Sequence, residues 1–276
     1  MTTAPLRLFT ERDREILAAL DLVPLTVPQL LKLSETFGQP FTSERRVRER
    51  LQQLAETGWV LRWPYATAGP GAPLYYKPSR MGFALLHGEH ARAPTKRAFG
   101  PVGLLKQAHT IALAAFMVQT CVAAHRLGYR VTNVYRENTF KLQTGAGTVY
   151  PDDSFQIRAS HDTAYNFFLE IDCSTERIRS TKDAESWERK LRTYDRWQNQ
   201  STERARVLIV AVRDSDRIAH ILETAAQITE NPRRSLFYGV SLSAYLAAAE
   251  PLTAACFRDH RGNQVALIPR PMPTDA

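Results

Sequence analysis

The sequence predicts a multi-domain α/β protein, and two patterns carry that prediction. In the first third of the chain, three stretches with apolar residues at helical spacing come before two short strand-like runs. In the remainder, a long apolar helix comes before alternating strand and helix patterns, which is typical of a mixed α/β domain. A chain of 276 residues can bury two cores, and its 44% hydrophobic content excludes a disordered or collagen-like protein.

Capping residues mark the starts of the predicted N-terminal helices. Thr10 precedes the first, over residues 11–20. Thr26 precedes a short second helix, with Pro28 in its first turn, where the missing N–H of proline costs nothing. The third helix covers residues 44–56 and ends before a glycine.

Two strands, over residues 59–63 and 74–77, follow the third helix and are joined by a loop rich in Pro and Gly. Three helices followed by a hairpin is the order of a winged helix-turn-helix, which we assign to residues 1–86. A basic segment broken by Pro and Gly, residues 87–103, is the predicted linker. Residues 104–276 form the predicted second domain.

The second domain opens with a helix over residues 104–127 that is apolar around most of its circumference and therefore belongs in a core. Strands and helices then alternate. The predicted strands are 130–135, 154–158, 165–172, 205–212 and 236–240; the predicted helices are 181–197 and one that Asp214 or Ser215 caps and that ends at 228; a hairpin within 254–268 closes the chain.

The outward face of the third helix is the predicted DNA-binding surface. With Val47, Leu51 and Leu54 inward, the outer face carries Arg45, Arg46, Glu49, Gln52 and Gln53, and Arg48 and Arg50 lie on its flanks. Arg pairs bidentately with guanine and Gln with adenine, while flanking arginines and the hairpin reach phosphates. The alternatives are a helix whose charges only keep the protein in solution, or a protein-docking module. The predicted DNA-binding residues are Arg45, Arg46, Arg48, Glu49, Arg50, Gln52, Gln53, Arg62 and Lys77.

The charge balance favours a polyanionic partner, because 36 Lys and Arg against 28 Asp and Glu give a formal net charge of +8. Three widely spaced cysteines indicate neither a disulfide framework nor a zinc site. The most apolar window, residues 111–124, is shorter than the roughly 20 residues of a membrane span. We therefore expect a cytoplasmic protein that makes no membrane contact.

Two carboxylates lie close together on the apolar strand that ends at Asp172. Side chains alternate along a strand, so Glu170 and Asp172 share one face, where burial and mutual repulsion are costly unless a metal ion or basic groups compensate. With Asp152 from a neighbouring strand they form an oxygen-ligand set of the kind that Mg²⁺ prefers, and Mn²⁺ is the alternative ion. Glu137 is a weaker fourth candidate ligand.

Lys190 lies on the inward stripe of the following helix, where an ammonium group needs a partner. It could meet the carboxylates and stabilise a phosphorane-like transition state. The alternative is a snorkelling lysine beside a strand end at which Asp172 pairs with Arg177 or Arg192.

Six segments together resemble the replication-relaxation family of plasmids and other mobile elements: SERRVRERL, YYKPSRMGFALL, HTIALAAFMV, YPDDSF, FFLEIDCSTE and ERKLRTYDRW. The second domain of that family is similar to the PD-(D/E)xK nuclease fold, a restriction-endonuclease-like α/β fold. The resemblance implies catalytic roles for Asp152 and Glu170. The lysine of that motif, two residues after Glu170, is here Asp172. Either Lys190 has taken over the catalytic role, or the domain keeps the scaffold without cleaving DNA.

The leading hypothesis is a DNA-binding protein of a mobile element that acts in replication, its control or DNA processing. The alternatives are an active Mg²⁺-dependent DNA endonuclease, and a binding-only transcriptional regulator or adaptor with a degenerate nuclease fold. Double-stranded DNA is the expected partner, together with a second copy of the chain or a replication or mobilisation protein. Other enzyme classes find no support, because the sequence has no P-loop, no Gly-x-Ser-x-Gly elbow and no helical His pair for zinc.

Overall fold

The chain divides into two compact units, Met1–Ala114 and Ala115–Ala276. The structure is a computed structural model. The residues that it describes are 9–66, 71–92, 96–136, 139–159, 163–179, 186–213 and 215–270.

In its described residues, the first unit contains the helices α1 to α4, the start of α5, and a three-stranded antiparallel sheet whose strand order is β1-β3-β2. Its core is formed by apolar side chains of the helices, such as Ile16, Leu30 and Leu51, with Tyr75 from the sheet. The elements in chain order are α1 (Glu11–Leu22), β1 (Leu25–Thr26), α2 (Val27–Leu33), α3 (Glu44–Glu56), β2 (Val60–Pro64), β3 (Leu74–Pro78) and α4 (Arg80–His87).

Local sequence fixes where these helices begin. Thr10 and Asp13 form a capping box at α1, since the hydroxyl of Thr10 accepts a hydrogen bond from the backbone N–H of Asp13 and the Asp13 carboxylate accepts one from that of Thr10. The Ser43 hydroxyl accepts a hydrogen bond from the backbone N–H of Arg46. The three predicted helices are confirmed, and α3 begins and ends at the predicted residues.

The segment that follows α4 contacts the β2–β3 hairpin. The Lys77 ammonium donates to the carbonyl of Gly100 at 2.9 Å, and the backbone N–H of Val102 donates to the Tyr75 hydroxyl at 2.8 Å. The predicted linker therefore packs on the hairpin along part of its length. The predicted domain limits, 1–86, 87–103 and 104–276, stay predictions.

The second unit contains a seven-stranded mixed sheet with the order β12-β11-β10-β9-β8-β7-β4 and a small β5–β6 hairpin. α5 runs across the division between the units. The elements are α5 (Gln107–Arg126), β4 (Arg130–Arg136), β5 (Leu142–Thr144), β6 (Gly147–Val149), β7 (Asp153–Arg158), β8 (Ala164–Asp172), α6 (Trp187–Gln200), β9 (Ala205–Ala211), α7 (Ser215–Ile228), β10 (Phe237–Ser241), α8 (Leu242–Ala247), β11 (Phe257–Asp259) and β12 (Gln264–Val265).

The centre of this sheet is parallel and its two sides are antiparallel. β4, β7 and β8 pair antiparallel, β8, β9 and β10 pair parallel, and β11 and β12 continue antiparallel. A parallel pair needs a crossover, which α6 supplies between β8 and β9 and α7 supplies between β9 and β10. Both helices pack on the sheet face that carries Phe168, through Leu191 and Leu222 among others.

Several predicted elements differ in extent from the observed ones. Of the helix predicted over 181–197, residues 181–185 lie outside the described residues, and α6 continues to Gln200. The capping residue Asp214 also lies outside them. The final hairpin is shorter than predicted, while β1, the β5–β6 hairpin and α8 were not predicted, because runs of two to six residues give little periodic signal.

The segment Leu104–Arg126 is long and apolar enough to cross a membrane by length and composition. The apolar segment is therefore longer than the 111–124 window, which by itself is too short to span a membrane. However, 67% of its most apolar window is buried inside the protein. That environment is the one predicted for a core helix.

Candidate nucleic-acid interface and acidic cluster

The α3 outer face, which comprises Arg45, Arg46, Arg48, Glu49 and Gln52, follows from the apolar stripe on the opposite side of the helix. Val47, Leu51 and Leu54 are at most 2% exposed. The side chains of Arg45, Arg46 and Arg48 are 86%, 71% and 60% exposed, respectively. The structure therefore exposes the predicted outer-face arginines, Arg45 and Arg46, and the predicted flanking arginine Arg48.

Exposed ion pairs link neighbouring side chains on the α3 outer face. Arg45 donates to the Glu49 carboxylate at 2.9 Å, and Arg46 donates to its other oxygen at 3.3 Å. Arg48 pairs with Glu44 one turn away. The hydrogen bond from Arg45 lowers the pKa of Glu49, with the charge of Arg46 adding to the effect. Solvent-exposed pairs of this kind contribute little to stability, so their arginines are available to a stronger anion.

Arg50 differs from the other arginines of α3 because it faces the protein. Its guanidinium donates to both oxygens of Asp13, at 2.7 and 2.5 Å, and to the Gln53 side chain at 2.9 Å. Asp13 is fully buried and the Arg50 side chain is 22% exposed, so the pair joins α3 to the start of α1. On the hairpin, Arg62 is exposed. DNA contacts by Arg50, Gln53, Arg62 and Lys77, and by the α3 outer face, stay predictions.

In the second unit, two side chains of α6 donate hydrogen bonds to the carboxylate of Glu170. The residue is 1% exposed. One oxygen accepts from the Lys190 ammonium at 2.9 Å and the other from the Tyr194 hydroxyl at 2.6 Å. Lys190 also donates to Glu176 at 2.9 Å. The structure therefore brings together Glu170 and Lys190, two of the three residues predicted as catalytic.

Burial and charge shift the pKa values of both members of the Glu170–Lys190 pair upward. Burial, with a smaller contribution from the Asp152 charge, raises the pKa of Glu170 to about 7 against the opposing effect of the Lys190 charge. Burial by itself would lower the pKa of Lys190, but Glu170 and Glu176 outweigh it and the net shift is upward. Lys190 is consequently a fixed cation, which suits charge stabilisation and does not suit a general base.

The acidic cluster, defined as Asp152, Glu170 and Asp172, is largely engaged by protein groups. Asp152 accepts from the backbone N–H of Ile171 at 2.7 Å. Asp172 accepts from the Arg217 guanidinium at 2.5 Å and from the Trp187 indole at 3.3 Å. The basic partner of Asp172 is thus an arginine of α7, whereas the sequence suggested Arg177 or Arg192.

These contacts test whether the acidic cluster fits Mg²⁺ or Mn²⁺. Within the described ranges, no group of three or more His, Cys, Asp or Glu side chains is placed to hold a metal ion. Glu170 and Asp172 already bind cationic side chains, so a metal ion would have to displace Lys190 or Arg217. The donor set therefore fits a divalent ion poorly. Glu137, the weaker candidate, lies outside the described residues.

Comparison with known proteins decides the family. A sequence model described as replication-relaxation matches residues 20–212, more than half of the chain, from the end of α1 through β9. The chain belongs to the replication-relaxation family. Searches of the curated proteins and of the solved structures gave no match. Membership in the replication-relaxation family indicates a role in the replication or processing of a plasmid or other mobile element.

Three residues that make contacts at these sites of the replication-relaxation protein were not identified from the sequence. Glu176 shares Lys190 with Glu170, and Arg217 binds Asp172. Arg12 lies beside the α3 outer face, with its guanidinium 4.9 Å from the centre of the Phe41 ring. Glu176 lies in the loop after β8, where no periodic pattern indicates its contact with Lys190. No helical or strand periodicity signals Arg12 or Arg217, because each meets its partner across elements.

We expect Arg50→Ala to lower the free energy of unfolding by about 3–5 kcal/mol, because it leaves the Asp13 charge buried without its cation. The matched control, Arg48→Ala on the same helix, removes an exposed side chain and should change stability little. Urea denaturation of the full chain measures both. Adding Asp13→Asn to Arg50→Ala should recover part of the loss, and equal stability of the two single variants would contradict the buried pair.

The raised pKa of Glu170 predicts a pH dependence of stability. The ordinary pKa of a glutamate is 4.5, and that of Glu170 in the folded protein is about 7. Between these two pH values Glu170 keeps its proton in the folded state and loses it in the unfolded state, so the stability of the protein falls as pH rises. Relative to Glu170→Gln, the wild-type protein should therefore lose about 3 kcal/mol across this range. Denaturation at several pH values measures the difference, and a constant difference between the two proteins would contradict the prediction.

Proposed function

We propose that this replication-relaxation protein binds duplex DNA with α3 as the recognition helix of an N-terminal winged helix-turn-helix. The observation that carries the proposal is the α3 outer face, on which Arg45, Arg46 and Arg48 reach solvent while the opposite stripe is buried. Arg fits guanine O6 and N7 bidentately, and Gln52 on the same face suits adenine. The net charge of +8 adds general attraction to the polyanion.

The topology of the first unit supports the proposal. The order α1-β1-α2-α3-β2-β3, with β1 paired to β3, matches a winged helix-turn-helix in which the β2–β3 hairpin is the wing. The exposed Arg62 on β2 would then reach a phosphate beside the groove. In this proposal the protein acts in the cytoplasm on mobile-element DNA.

For the second unit we propose a degenerate PD-(D/E)xK nuclease-like fold that supports binding without cleavage. The order α5-β4-β7-β8-α6-β9 is similar to the core of that fold, with Glu170 on the third strand of the set. The engaged state of Glu170 and Asp172 supports a structural role for the cluster. A second copy of the chain, or a replication or mobilisation protein, is the partner we propose for this unit.

Metal-dependent DNA cleavage is the second candidate function, and one contact favours it. Lys190 lies 2.9 Å from Glu170, so the helix supplies the cation that the motif normally takes from the strand. In this alternative, Asp152 and Glu170 would hold Mg²⁺ or Mn²⁺ and Lys190 would stabilise developing negative charge. The poor fit of the donor set places this function second.

Replacing Arg45 and Arg46 together with Ala should weaken duplex DNA binding by about 1–3 kcal/mol for each base or phosphate interaction that the change removes. Affinity of the wild-type protein should also fall steeply with salt, because phosphate neutralisation releases counterions. A gel-shift titration of the full chain measures both effects. The control is the double variant Arg14→Ala and Arg80→Ala, which removes the same charge from exposed positions outside α3. If both double variants lose the same affinity for DNA, the loss arises from the change in net charge and not from contacts of α3.

Supercoiled plasmid with Mg²⁺ or Mn²⁺ separates the two candidate functions. We expect the wild-type protein to bind the plasmid without nicking it, because Lys190 and Arg217 occupy the carboxylates that a metal ion needs. Glu170→Gln and Lys190→Ala are assayed beside it. Nicking by the wild-type protein that both variants abolish would establish the endonuclease, whereas equal nicking by all three would identify a contaminant.

A further inference from the structure

A cavity of about 490 Å³ lies on one flank of α3, between that helix, the start of α1 and the loop that precedes α3. We name it the α1–α3 cavity. Its lining includes Thr10 and Arg12 of the α1 start, Phe41 of the loop, and Arg46, Arg50 and Gln53 of α3. All of these residues belong to the first unit.

The charges around the α1–α3 cavity do not cancel. Three guanidinium groups, from Arg12, Arg46 and Arg50, meet two carboxylates, from Asp13 and Glu49. Arg50 is neutralised by Asp13, and Arg46 shares Glu49 with a second arginine. The cavity therefore carries surplus positive charge, at Arg12 and, because Glu49 is shared, also at Arg46.

Arg12 is held in place by uncharged groups. Its guanidinium donates to the Gln39 carbonyl at 3.1 Å and to the Gln39 side-chain oxygen at 3.3 Å, and it lies over the Phe41 ring. Among the described residues, its hydrogen-bond and ring partners carry no negative charge. Hydrogen bonds and a cation–π contact thus fix its position while leaving its charge uncompensated.

We propose that the α1–α3 cavity binds a phosphodiester group of the DNA backbone, with Arg12 as its main ligand. This inference rests on the proposed DNA binding and extends the contact surface from α3 to α1. A guanidinium fork matches two phosphate oxygens, which accounts for an anion of this class. Arg12 already covers the Phe41 ring, so the cavity offers no open aromatic face on which a base would stack. A flank position beside the α3 outer face is also where the strand bordering the groove passes.

Salt-dependent binding of the full chain to duplex DNA tests this proposal. Each phosphate contact contributes about 0.9 to the slope of log affinity against log salt, so Arg12→Gln should reduce the slope by about 0.9 and weaken binding about tenfold at low salt. Arg12→Lys keeps the charge and should keep most of the slope. Arg14→Gln, an exposed arginine two residues along α1, is the matched control and should leave both quantities unchanged.

The outcomes separate this proposal from the proposed function. Absence of duplex binding by the wild-type protein refutes both. If the Arg45 and Arg46 variant no longer binds while Arg12→Gln retains affinity and slope, the cavity proposal alone is refuted. Weaker binding of Arg12→Gln with an unchanged slope would show a structural role and overturn the proposal, and melting curves of each variant identify misfolding.

A separate arm distinguishes DNA phosphate from a free anion. Inorganic phosphate replaces chloride at equal ionic strength while the melting temperature of the protein is recorded. The proposal is supported if replacing chloride with phosphate changes the melting temperature of neither wild type nor Arg12→Gln, while Arg12→Gln reduces the salt slope of DNA binding. A phosphate-dependent stabilisation that Arg12→Gln abolishes, without any effect on DNA binding, would assign the cavity to a free anion and overturn the proposal.

Discussion

Buried carboxylates are the constraint on which both units of this protein depend. A charge removed from water costs several kcal/mol unless a cation and further hydrogen bonds compensate it, so each one dictates what must pack beside it. Among the described residues, three of the cations that pair with these acids come from a helix that does not bear the acid, and Arg234 comes from the loop between α7 and β10. The ion pairs thereby fix the positions of helices. The pairs are Asp13 with Arg50, Glu170 with Lys190, Asp172 with Arg217 and Asp195 with Arg234.

The same constraint shapes what the acidic cluster can do. β8 ends with two carboxylates on one face, and α6 and α7 each bring a cation to that point. Asp153 shows the other solution: it pairs in register with Leu169, so it faces away from Glu170, and burial raises its pKa well above the ordinary value, which favours the neutral acid. A site whose acids are neutralised by the protein itself is stable, and that stability opposes occupation by a metal ion.

Sequence reasoning located the elements better than the contacts between them. Ser43 and the apolar stripe of α3 define that helix residue by residue, and the inward position of Lys190 followed from helical spacing and is confirmed by its bond to Glu170. Periodicity says which way a side chain faces but not what it meets. Arg50 lies 37 residues from Asp13, and Arg217 lies 45 residues from Asp172, so neither pairing leaves a local pattern. The family was predictable because its motifs are contiguous.

The arginines of α3 show how burial assigns different roles to identical side chains on one helix. Helical spacing predicts Arg45 on the outer face and Arg50 on its flank, and their side chains are 86% and 22% exposed. Exchanging the exposed Glu49 partner of Arg45 for a phosphate or a base leaves no charge stranded, since Glu49 returns to water. Moving Arg50 would leave Asp13 buried and unpaired, at a cost of about 3–5 kcal/mol. The proposed DNA binding through α3 would therefore draw on the exposed arginines, while Arg50 holds the helix against the start of α1.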